Sequence, residues 1–235
     1  MTKTVPRMIV FEGPDGSGKS TTMKLVSEKM RDMGIEHISV RNPGGTPSGE
    51  AIRELILNPH FELDPMAQVY LFVASRIQLM EERVKPALMA GQMVLCDRLE
   101  LSTIFYQTAG FKWELIRKYG NVPEVTSLVM KFHQRLKEIN GGVTDDIELR
   151  YIITDASNTT LNKRRPPNME DRFEMKGETF QKDVRAFYRH HAESHSWDSR
   201  IRTINTDQPL LHTAISSLIQ FATLEATTCP TKVTA

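Results

Sequence analysis

Short apolar runs alternate along the chain with longer stretches in which apolar residues recur at three- and four-residue steps. Such runs are typical of buried strands, whereas the longer stretches are typical of helices that cover a sheet. Their alternation predicts an α/β fold, with a parallel sheet of about five strands and helices on both of its faces. The runs, in chain order, are RMIVFEG, EHISVRN, GQMVLCDR, LRYIITDA and RIRTINTD.

The stretches between these runs predict the helices. The first begins in SGKSTT, repeats its apolar residues as far as Met33, and stops at Gly34. A short helix is predicted in GEAIRELILN, and a long one in DPMAQVYLFVASRIQLMEERVKPAL that ends near Pro86. Later helices are predicted to begin in ELSTIFYQTAG and to occupy QKDVRAFYRHHAESH and LLHTAISSLIQFATLE. The elements predict one domain over residues 1–225, followed by a polar, disordered tail over residues 226–235.

Composition narrows the classes of function. The 235-residue chain is long enough to bury a sizeable core, and its formal net charge of +1 gives no electrostatic case for binding nucleic acid. Cys96 and Cys229 lie far apart, which indicates neither a disulfide framework nor a metal site. The first residues are too poor in apolar content for a signal peptide, and no segment approaches the roughly 18 apolar residues of a membrane span. We therefore predict a soluble, cytoplasmic protein that binds neither nucleic acid nor membrane.

The stretch FEGPDGSGKST carries a phosphate-binding pattern, because Gly13, Gly18, Lys19 and Ser20 match the P-loop motif G-x-x-x-x-G-K-[ST]. Glycines let backbone N–H groups wrap a phosphate, and the following helix N-terminus favours anions. The alternative, an ordinary glycine-rich turn, is disfavoured because motif and flanking elements agree. The predicted ATP-binding residues are Gly13, Pro14, Asp15, Gly16, Ser17, Gly18, Lys19, Ser20 and Thr21.

A nucleotide bound in such a loop needs Mg²⁺ and an acidic group at the end of a neighbouring strand. The run QMVLCD ends in Asp97, which we interpret as a carboxylate on the metal side that acts through water, with Ser20 as the other predicted metal-binding residue. A lone aspartate at a strand end is more often a helix cap or turn residue. An intact phosphate-binding loop beside it favours the metal.

The rest of the chain favours phosphoryl transfer over hydrolysis or sensing. The Asn-Lys-x-Asp guanine reader of switch GTPases is missing, and no sensor elements of motor-type ATPases appear. Transfer between two anions needs positive groups that offset the repulsion and the charge of the transition state. Arginines spread over separate segments could converge for this purpose at the ligand-binding edge of the sheet. They are Arg41, Arg53, Arg76, Arg98, Arg164, Arg165 and Arg172.

Several separated motifs, taken in order, resemble the thymidylate kinase family of P-loop nucleoside monophosphate kinases. The resemblance covers about residues 8–110 and 150–190. FEGPDGSGKST is similar to the family's phosphate-binding loop, and RNPGGTPSGEAIREL to its Arg-Glu-Pro-Gly-Gly-Thr-Pro loop with the helix behind it. YLFVASRIQLMEERVKPAL resembles the helix that contacts the acceptor base, DRLELSTIFYQ the Asp-Arg-Tyr motif, and NKRRPPNMEDRFE the mobile basic lid.

The resemblance implies a role for each matching residue in the acceptor site. Phe72 would stack on the acceptor pyrimidine, and Arg76 would donate to its O4. Thr103 and Gln107, four residues apart on one helix face, would address the base edge. Tyr106 would sit where the sugar lacks a 2′-hydroxyl. Core packing for Phe72 and Tyr106, and solvent exposure for Arg76, are the plain alternatives.

The resemblance also implies how the sugar and phosphate are held. Asp15 would bind the 3′-hydroxyl of the acceptor, and Arg53 and Arg98 would hold its phosphate, with Arg41 nearby. Because that phosphate already carries an anionic oxygen, no strong general base is required, and catalysis rests on positioning and charge. A deoxynucleoside kinase, whose acceptor is uncharged, would instead need a general base near the 5′-hydroxyl of the sugar. Glu12 is conceivable for that role, but Arg53 and Arg98 would then lack a purpose.

A mobile lid at about residues 158–175 would supply the transition-state cation. The loop carries no arginine of its own, so the resemblance assigns this charge to Lys163, Arg164 or Arg165. A solvated helix end is the plain alternative. The catalytic residues that we predict are Lys19, Arg98, Arg164 and Arg165.

Departures from the family pattern leave some questions open. Leu99 stands where tyrosine or histidine is usual, Asn42 replaces a glutamate, and residues 111–148 form a longer, atypical helical insertion broken around Pro123. The resemblance implies the reaction ATP + dTMP → ADP + dTDP with Mg²⁺, and a homodimer. Two alternatives remain: a kinase of different or broader acceptor range, such as for 5-modified dUMP, and a non-catalytic nucleotide-binding protein.

Overall fold

Five parallel strands form the centre of the molecule, in the spatial order β2–β3–β1–β4–β5. The computed structural model describes residues 7–121, 123–140, 144, 147–164, 171–210 and 212–223. The predicted α/β sheet is confirmed. The strands are β1 Met8–Glu12, β2 His37–Arg41, β3 Met93–Asp97, β4 Leu149–Asp155 and β5 Ile201–Asn205.

The helices connect consecutive strands and cover both faces of the sheet. Two stretches depart from α-helical geometry: a π-helical turn at Met80–Val84 and a 3₁₀ turn at Glu174–Lys176. The α-helices are α1 Lys19–Asp32, α2 Pro47–Leu57, α3 Pro65–Leu79, α4 Lys85–Met89, α5 Glu100–Tyr119, α6 Pro123–Asn140, α7 Asn158–Arg164, α8 Gly177–Ser194 and α9 His212–Thr223.

Alternate residues of β1 show why the sheet is covered on both faces. Ile9 and Phe11 pack with residues of α1 and α9 in one apolar cluster, whereas Met8 and Val10 belong to another that includes Leu79 from α3. All five residues of β1 are buried. A strand with both faces buried needs apolar residues at every position rather than at every second one, as this run has.

The predicted long helix ahead of β3 is continuous but changes geometry. After α3, the π-helical turn Met80–Val84 leads into α4, whose second residue is Pro86. Proline has no backbone N–H and its ring crowds the preceding turn, and a wider turn accommodates both effects. Pro86 therefore reshapes this helix, which continues to Met89 rather than ending near the proline.

Residues 111–148 contain the two helical segments that the sequence predicts, with the break where Pro123 stands. Helix α5 ends at Tyr119 and α6 begins at Pro123, a residue that suits a first helical position. Phe111 and Phe132 stack with ring centroids 4.1 Å apart, so α6 packs back against α5. The insertion is thus part of the same apolar cluster as the middle of α5.

Some sequence predictions fall outside the described residues. Helix α7 and residues 171–175 cover part of the predicted lid, but residues 165–170 lie outside, as does the predicted tail. Among the described residues, none of the helices has the length and apolar character that crossing a bilayer requires.

Candidate active site

The loop between β1 and α1 wraps closely around a space at the carboxyl end of the sheet. Gly13, Gly16 and Gly18 have φ angles of 143°, 79° and 81°, which other residues rarely adopt. A Cβ atom on Gly13 would lie 2.2 Å from the carbonyl oxygen of Thr154, so no side chain fits there. Helix α1 begins at Lys19, directly after this turn, and its first N–H groups face the same space.

Two threonines from the end of the sheet brace this loop. The hydroxyls of Ser17 and Thr154 are 2.7 Å apart, and the Thr206 hydroxyl donates to the Ser17 carbonyl over 2.8 Å. Both threonines are buried. Because they follow or end the strands β4 and β5, the loop is held from the sheet as well as by its own glycines. No local motif marks either threonine, so neither was predicted.

Lys19 lies over the loop. Its ammonium Nζ donates to the carbonyl oxygens of Gly13 and Pro14 over 3.0 and 2.8 Å. Burial lowers the pKa of Lys19 to about 8, and the positive charge of Arg98 acts in the same direction. The carbonyl groups that Lys19 contacts are neutral dipoles, so no full negative charge balances the ammonium through these two bonds. A phosphate bound in the loop would supply that charge.

Ser20 and Asp97 offer oxygen ligands at the edge of the same space. The Ser20 hydroxyl donates to Asp97 Oδ2 over 3.0 Å, while Asp97 Oδ1 is buried without a hydrogen-bond partner among the described residues. In the described part of the chain, no three histidine, cysteine or acidic side chains are placed so that they could hold a metal ion together. One carboxylate and one hydroxyl fit Mg²⁺, which keeps several waters and binds nucleotide phosphates rather than an all-protein cage.

The loop, the start of α1 and Asp97 line a cavity of about 390 Å³, which we call the cradle cavity. Arg164, at the end of α7, also lines it. Its guanidinium donates to the Thr206 carbonyl over 2.6 Å and lies 3.5 Å from the Gly16 carbonyl. Thus one of the two predicted lid arginines lies at this cavity, while the other, Arg165, is outside the described residues.

Asp15, Arg98 and Glu174 line both the cradle cavity and a second one. The Arg98 guanidinium pairs with the Asp15 carboxylate, and it donates to the Gly13 carbonyl over 3.0 Å and to the Ser102 hydroxyl over 2.9 Å. Burial alone would raise the pKa of Asp15, but the charges of Arg98 and Lys19 outweigh it and hold that pKa below its usual value. Asp15 is therefore an anion between two cations.

The backbone of Arg98 has a φ angle of 69°, a left-handed conformation that is uncommon for arginine. The buried carboxylate of Glu12 holds the turn that follows. It accepts from the backbone N–H groups of Leu99 and Ser102 over 2.8 and 3.2 Å, and from the hydroxyls of Ser102 and Tyr188, both over 2.6 Å. Helix α5 has no cap from its own first residues, so Glu12, the last residue of β1, caps it from a distance.

The second cavity, which we call the inner cavity, measures about 240 Å³. The rings of Phe72 and Tyr106 flank Phe173, with centroid distances of 6.1 and 5.9 Å to that ring. Apolar ring faces at one end and Arg53 and Arg98 at the other suit a ligand with a flat base and an anionic group. The predicted acceptor residues that line it are Asp15, Arg53, Phe72, Arg98, Thr103 and Tyr106.

Three other predicted acceptor residues do not line the inner cavity. Arg41 is half-exposed and pairs with Glu50 over 2.7 Å. Arg76 is fully buried and donates to Thr103 Oγ1 over 2.7 Å, one side chain back from the cavity. Gln107 is buried, and its Nε2 has no partner among the described residues.

Of the seven arginines predicted to converge at one edge, Arg165 lies outside the described residues, and three do not line either cavity: Arg41, Arg76 and Arg172. Arg172 donates to the carbonyls of Asn58 and Phe61, which fastens the start of the described lid segment to the end of α2. Arg41 and Arg172 act on the protein's own loops, because carboxylate and carbonyl acceptors stand within reach on their elements. Arg53, Arg98 and Arg164 are the arginines that line the two cavities.

Sequence reasoning missed several lining residues. Phe173 is the most informative, because an aromatic residue beside a basic lid segment could have indicated a lid that closes on a base. The others lie in loops or at helix starts whose local pattern carries no signal. Those that line the inner cavity are Asn42, Pro43, Leu57, Leu99, Ser102, Asp171, Phe173 and Glu174. Glu174 and Gln181 line the cradle cavity.

The geometry has one chemical consequence. A phosphate in the cradle cavity and an anion beside Arg53 would meet at Arg98, with Lys19 and Arg164 on the other side. These three cations, Arg98, Lys19 and Arg164, would then offset the negative charge of a group passing between the two cavities, which is what phosphoryl transfer needs.

Known proteins point the same way. A sequence model of the family described as "Thymidylate kinase" matches residues 11–152. The "Thymidylate kinase" of Pelotomaculum thermopropionicum is 37% identical over 183 residues, which cover 77% of this chain and 78% of that protein. That of Latilactobacillus sakei is 32% identical over 208 residues, covering 88% and 90%. A shorter match to that of Legionella pneumophila is 44% identical over 117 residues, covering 49% and 55%.

Proposed function

The chain belongs to the thymidylate kinase family, and from this premise we propose a function in which it transfers the γ-phosphate of ATP to dTMP and releases dTDP and ADP. The observation that carries the proposal is the pair of adjoining cavities that share Asp15 and Arg98. One cavity has the phosphate-binding loop and the other has aromatic rings and arginines. A two-substrate kinase needs both halves in contact.

ATP occupies the cradle cavity in this proposal. Backbone N–H groups of the loop hold its phosphates, Lys19 reaches the β- and γ-phosphates, and Arg164 approaches from α7. Ser20 and Asp97 would hold Mg²⁺, Asp97 through a water. When bound, the ion neutralises developing charge on the phosphates. The orphaned Oδ1 of Asp97 supports this part of the proposal.

The acceptor dTMP occupies the inner cavity. Phe72 stacks on the pyrimidine, Thr103 addresses its edge, and Tyr106 lies where a 2′-hydroxyl would clash. Gln107, one turn after Thr103 on α5, lies outside the cavity lining and is not assigned a contact to the base. The phosphate of dTMP lies between Arg53 and Arg98, with Arg41 contributing from outside the cavity. Asp15, held as an anion by its neighbours, accepts from the 3′-hydroxyl of the deoxyribose.

Glu12 favours a phosphate over a nucleoside as the acceptor. Its carboxylate is fully buried and accepts from four donors, which include the backbone of Leu99 and the hydroxyl of Tyr188. A carboxylate engaged in this way is not free to take a proton from a sugar hydroxyl. The phosphate of dTMP needs no such base, because its attacking oxygen is already anionic.

An exposed apolar stripe supports the homodimer. Ala67, Tyr70, Ala74 and Ile77 repeat at three- and four-residue steps on α3, and Tyr70 and Ile77 expose 53% and 48% of their surface. Such a stripe on a helix suits a second copy of the same helix. We expect a sedimentation mass of twice 26.8 kDa, which Tyr70→Glu lowers to the monomer value while Met89→Glu, on an 88% exposed residue, leaves it unchanged.

Domain layout and location complete the proposal. Residues 1–225 form one kinase domain, in which a lid at about residues 158–175 closes over both nucleotides and excludes water. A cytoplasmic location is proposed from the family, since its substrates are nucleotides.

The test is a panel of acceptors with MgATP: dTMP, dUMP, a 5-modified dUMP, dCMP, dGMP and thymidine. We expect the largest kcat/KM with dTMP. A preference for thymidine over dTMP would overturn the monophosphate assignment, and a preference for another monophosphate would move the acceptor. No ADP formation with any acceptor would reject the enzyme.

A further inference from the structure

Three side chains from different parts of the chain fix the guanidinium of Arg76. Its Nη2 donates to Thr103 Oγ1 over 2.7 Å and to Asn42 Oδ1 over 3.4 Å, and its Nη1 donates to Asn140 Oδ1. Thr103 and Asn42 line the inner cavity, but Asn140 does not. Asn140 therefore reaches Arg76 from the side away from the ligand.

Asn140 is itself held in one orientation. It is the last residue of α6, exposes 4% of its surface, and donates from Nδ2 to the Leu136 carbonyl over 2.7 Å. Because the amide nitrogen has a carbonyl partner, the amide oxygen is the atom that turns to the guanidinium. Leu136 is fully buried in the apolar cluster that also contains Phe72, which fixes this end of α6.

Arg76 needs such support because it is a buried cation. Burial lowers its pKa, and the nearby carboxylates of Glu100 and Glu12 act in the opposite direction. Its Nε has no hydrogen-bond partner among the described residues. Without the Asn140 oxygen, the guanidinium would keep only its partners on the cavity side, Thr103 and Asn42. It could then shift, and the Thr103 and Asn42 side chains would no longer be held in one orientation towards the cavity.

We propose that Asn140, carried by the insertion, is a positioning residue for recognition of the acceptor base, acting through Arg76. The inference rests on the proposed function, since it assumes that a pyrimidine lies beside Thr103. Because Thr103 Oγ1 accepts from Arg76, its own O–H is left to donate into the cavity, which favours a carbonyl oxygen at position 4 of the ring over the amino group of cytosine. The insertion then contributes to selectivity for dTMP without touching it.

Steady-state kinetics of Asn140→Ala tests this proposal. We expect KM for dTMP to rise about tenfold, the loss of a hydrogen bond to a charged group, and the preference for dTMP over dCMP to fall by a similar factor. KM for ATP is expected to stay within about twofold, because Asn140 acts on residues of the inner cavity and not on the cradle cavity, where ATP is proposed to bind. Asn140→Asp loses the donor to the Leu136 carbonyl but keeps an acceptor for Arg76, and because a carboxylate pairs strongly with a guanidinium it is expected to retain most of the selectivity.

A control on the same helix separates positioning from helix stability. Gln134→Ala changes an exposed residue of α6 and is expected to leave both KM values and the selectivity unchanged. A merely structural Asn140 would lower the melting temperature and raise both KM values alike, and that result overturns the proposal. Equal loss of selectivity in Asn140→Asp and Asn140→Ala overturns it as well.

Two further outcomes are distinguishable. If Asn140→Ala does not fold, Asn140→Gln moves the amide by one methylene and is expected to show the same loss of selectivity; unchanged selectivity in a folded Asn140→Gln counts against the proposal. If the wild-type chain does not use dTMP, the proposed function itself fails. A wild-type chain that uses dTMP with variants of undiminished selectivity rejects only the role of Asn140.

Discussion

The cradle cavity and the inner cavity are built in different ways. The cradle cavity is mainly one continuous loop and the helix after it, and its ligands are largely backbone groups set by Gly13, Gly16 and Gly18. The inner cavity draws single side chains from α2, α3, α5 and the segment before α8. Backbone geometry tolerates few replacements, whereas a cavity of separate side chains can change one partner at a time. A single substitution in the loop should therefore abolish ligand binding in the cradle cavity, whereas single substitutions in the inner cavity should each weaken binding only in part.

The largest effect is expected for Gly13→Ala, which would break the cradle half altogether. The φ angle of 143° and the 2.2 Å approach to the Thr154 carbonyl combine strain with a backbone clash. We expect a loss of about 3–5 kcal/mol in the free energy of unfolding and no measurable ATP binding. Denaturant titration and calorimetry measure the two.

Gly34→Ala is the matched control for strain alone. Gly34 also has a positive φ, 69°, but a Cβ there would meet nothing within 4 Å. It should cost about 1 kcal/mol and leave ATP binding intact. Equal losses in the two variants would show that the clash at Thr154 does not matter.

Arg98→Lys tests the residue at which the two halves meet. Lysine keeps the charge but cannot reach Asp15, the Gly13 carbonyl and Ser102 together, as the guanidinium does. We expect kcat to fall about 10²-fold and KM to rise for both substrates. Initial-rate kinetics over both substrates gives these constants.

A change confined to one substrate would contradict the shared role of Arg98. Arg135→Lys, on an exposed arginine of α6, should leave all constants unchanged.

Within the inner half, Arg53→Ala and Arg41→Ala should differ. Arg53 lines the inner cavity, and burial lowers its pKa, as does the charge of Arg41. Arg41 lies outside that cavity and makes an exposed pair with Glu50. We expect KM for dTMP to rise about 20-fold in Arg53→Ala, from a charge-assisted contact, and less than about threefold in Arg41→Ala. The reverse order would restore Arg41 as a direct phosphate ligand.

The smallest expected effect is the uptake of part of a proton by Lys19 when MgATP binds. Its pKa of about 8 lies below the usual value, so the free protein at pH near 8 carries this lysine only partly charged. Bound phosphate favours the charged form and raises that pKa. Binding of MgATP should therefore take up a fraction of a proton at about pH 8, and affinity should fall as pH rises through about 8.

Calorimetry in buffers of different ionisation enthalpy measures this uptake. Lys19→Met is expected to abolish it. Uptake of the same size in that variant would assign the proton to another group.

The cradle cavity could be predicted from the sequence more fully than the inner cavity, because one is built from consecutive residues and the other from separate elements. The strand, loop and helix around Gly13, and Asp97 at the end of β3, are encoded by neighbouring residues, so pattern and spacing were sufficient. Asn140 and Phe173 depend on how α6 and the lid pack, which no local pattern records. For Arg41 the contact to the acceptor stays a prediction: its position in a motif suggested it, and the structure shows its guanidinium paired with Glu50, nine residues on.

The carboxylate of Glu12 limits how the two halves could be exchanged between proteins. It joins the last residue of β1 to the first turn of α5 and to Tyr188 on α8 through hydrogen bonds of 2.6 to 3.2 Å. A chimera that replaced residues 98–110 with a segment lacking the Ser102 hydroxyl would bury this carboxylate with fewer donors, at a cost of about 1–3 kcal/mol per lost partner. Recombination at this point would succeed only where the exchanged segment supplies the serine and the recipient keeps Glu12 and Tyr188, so the three positions must be matched together.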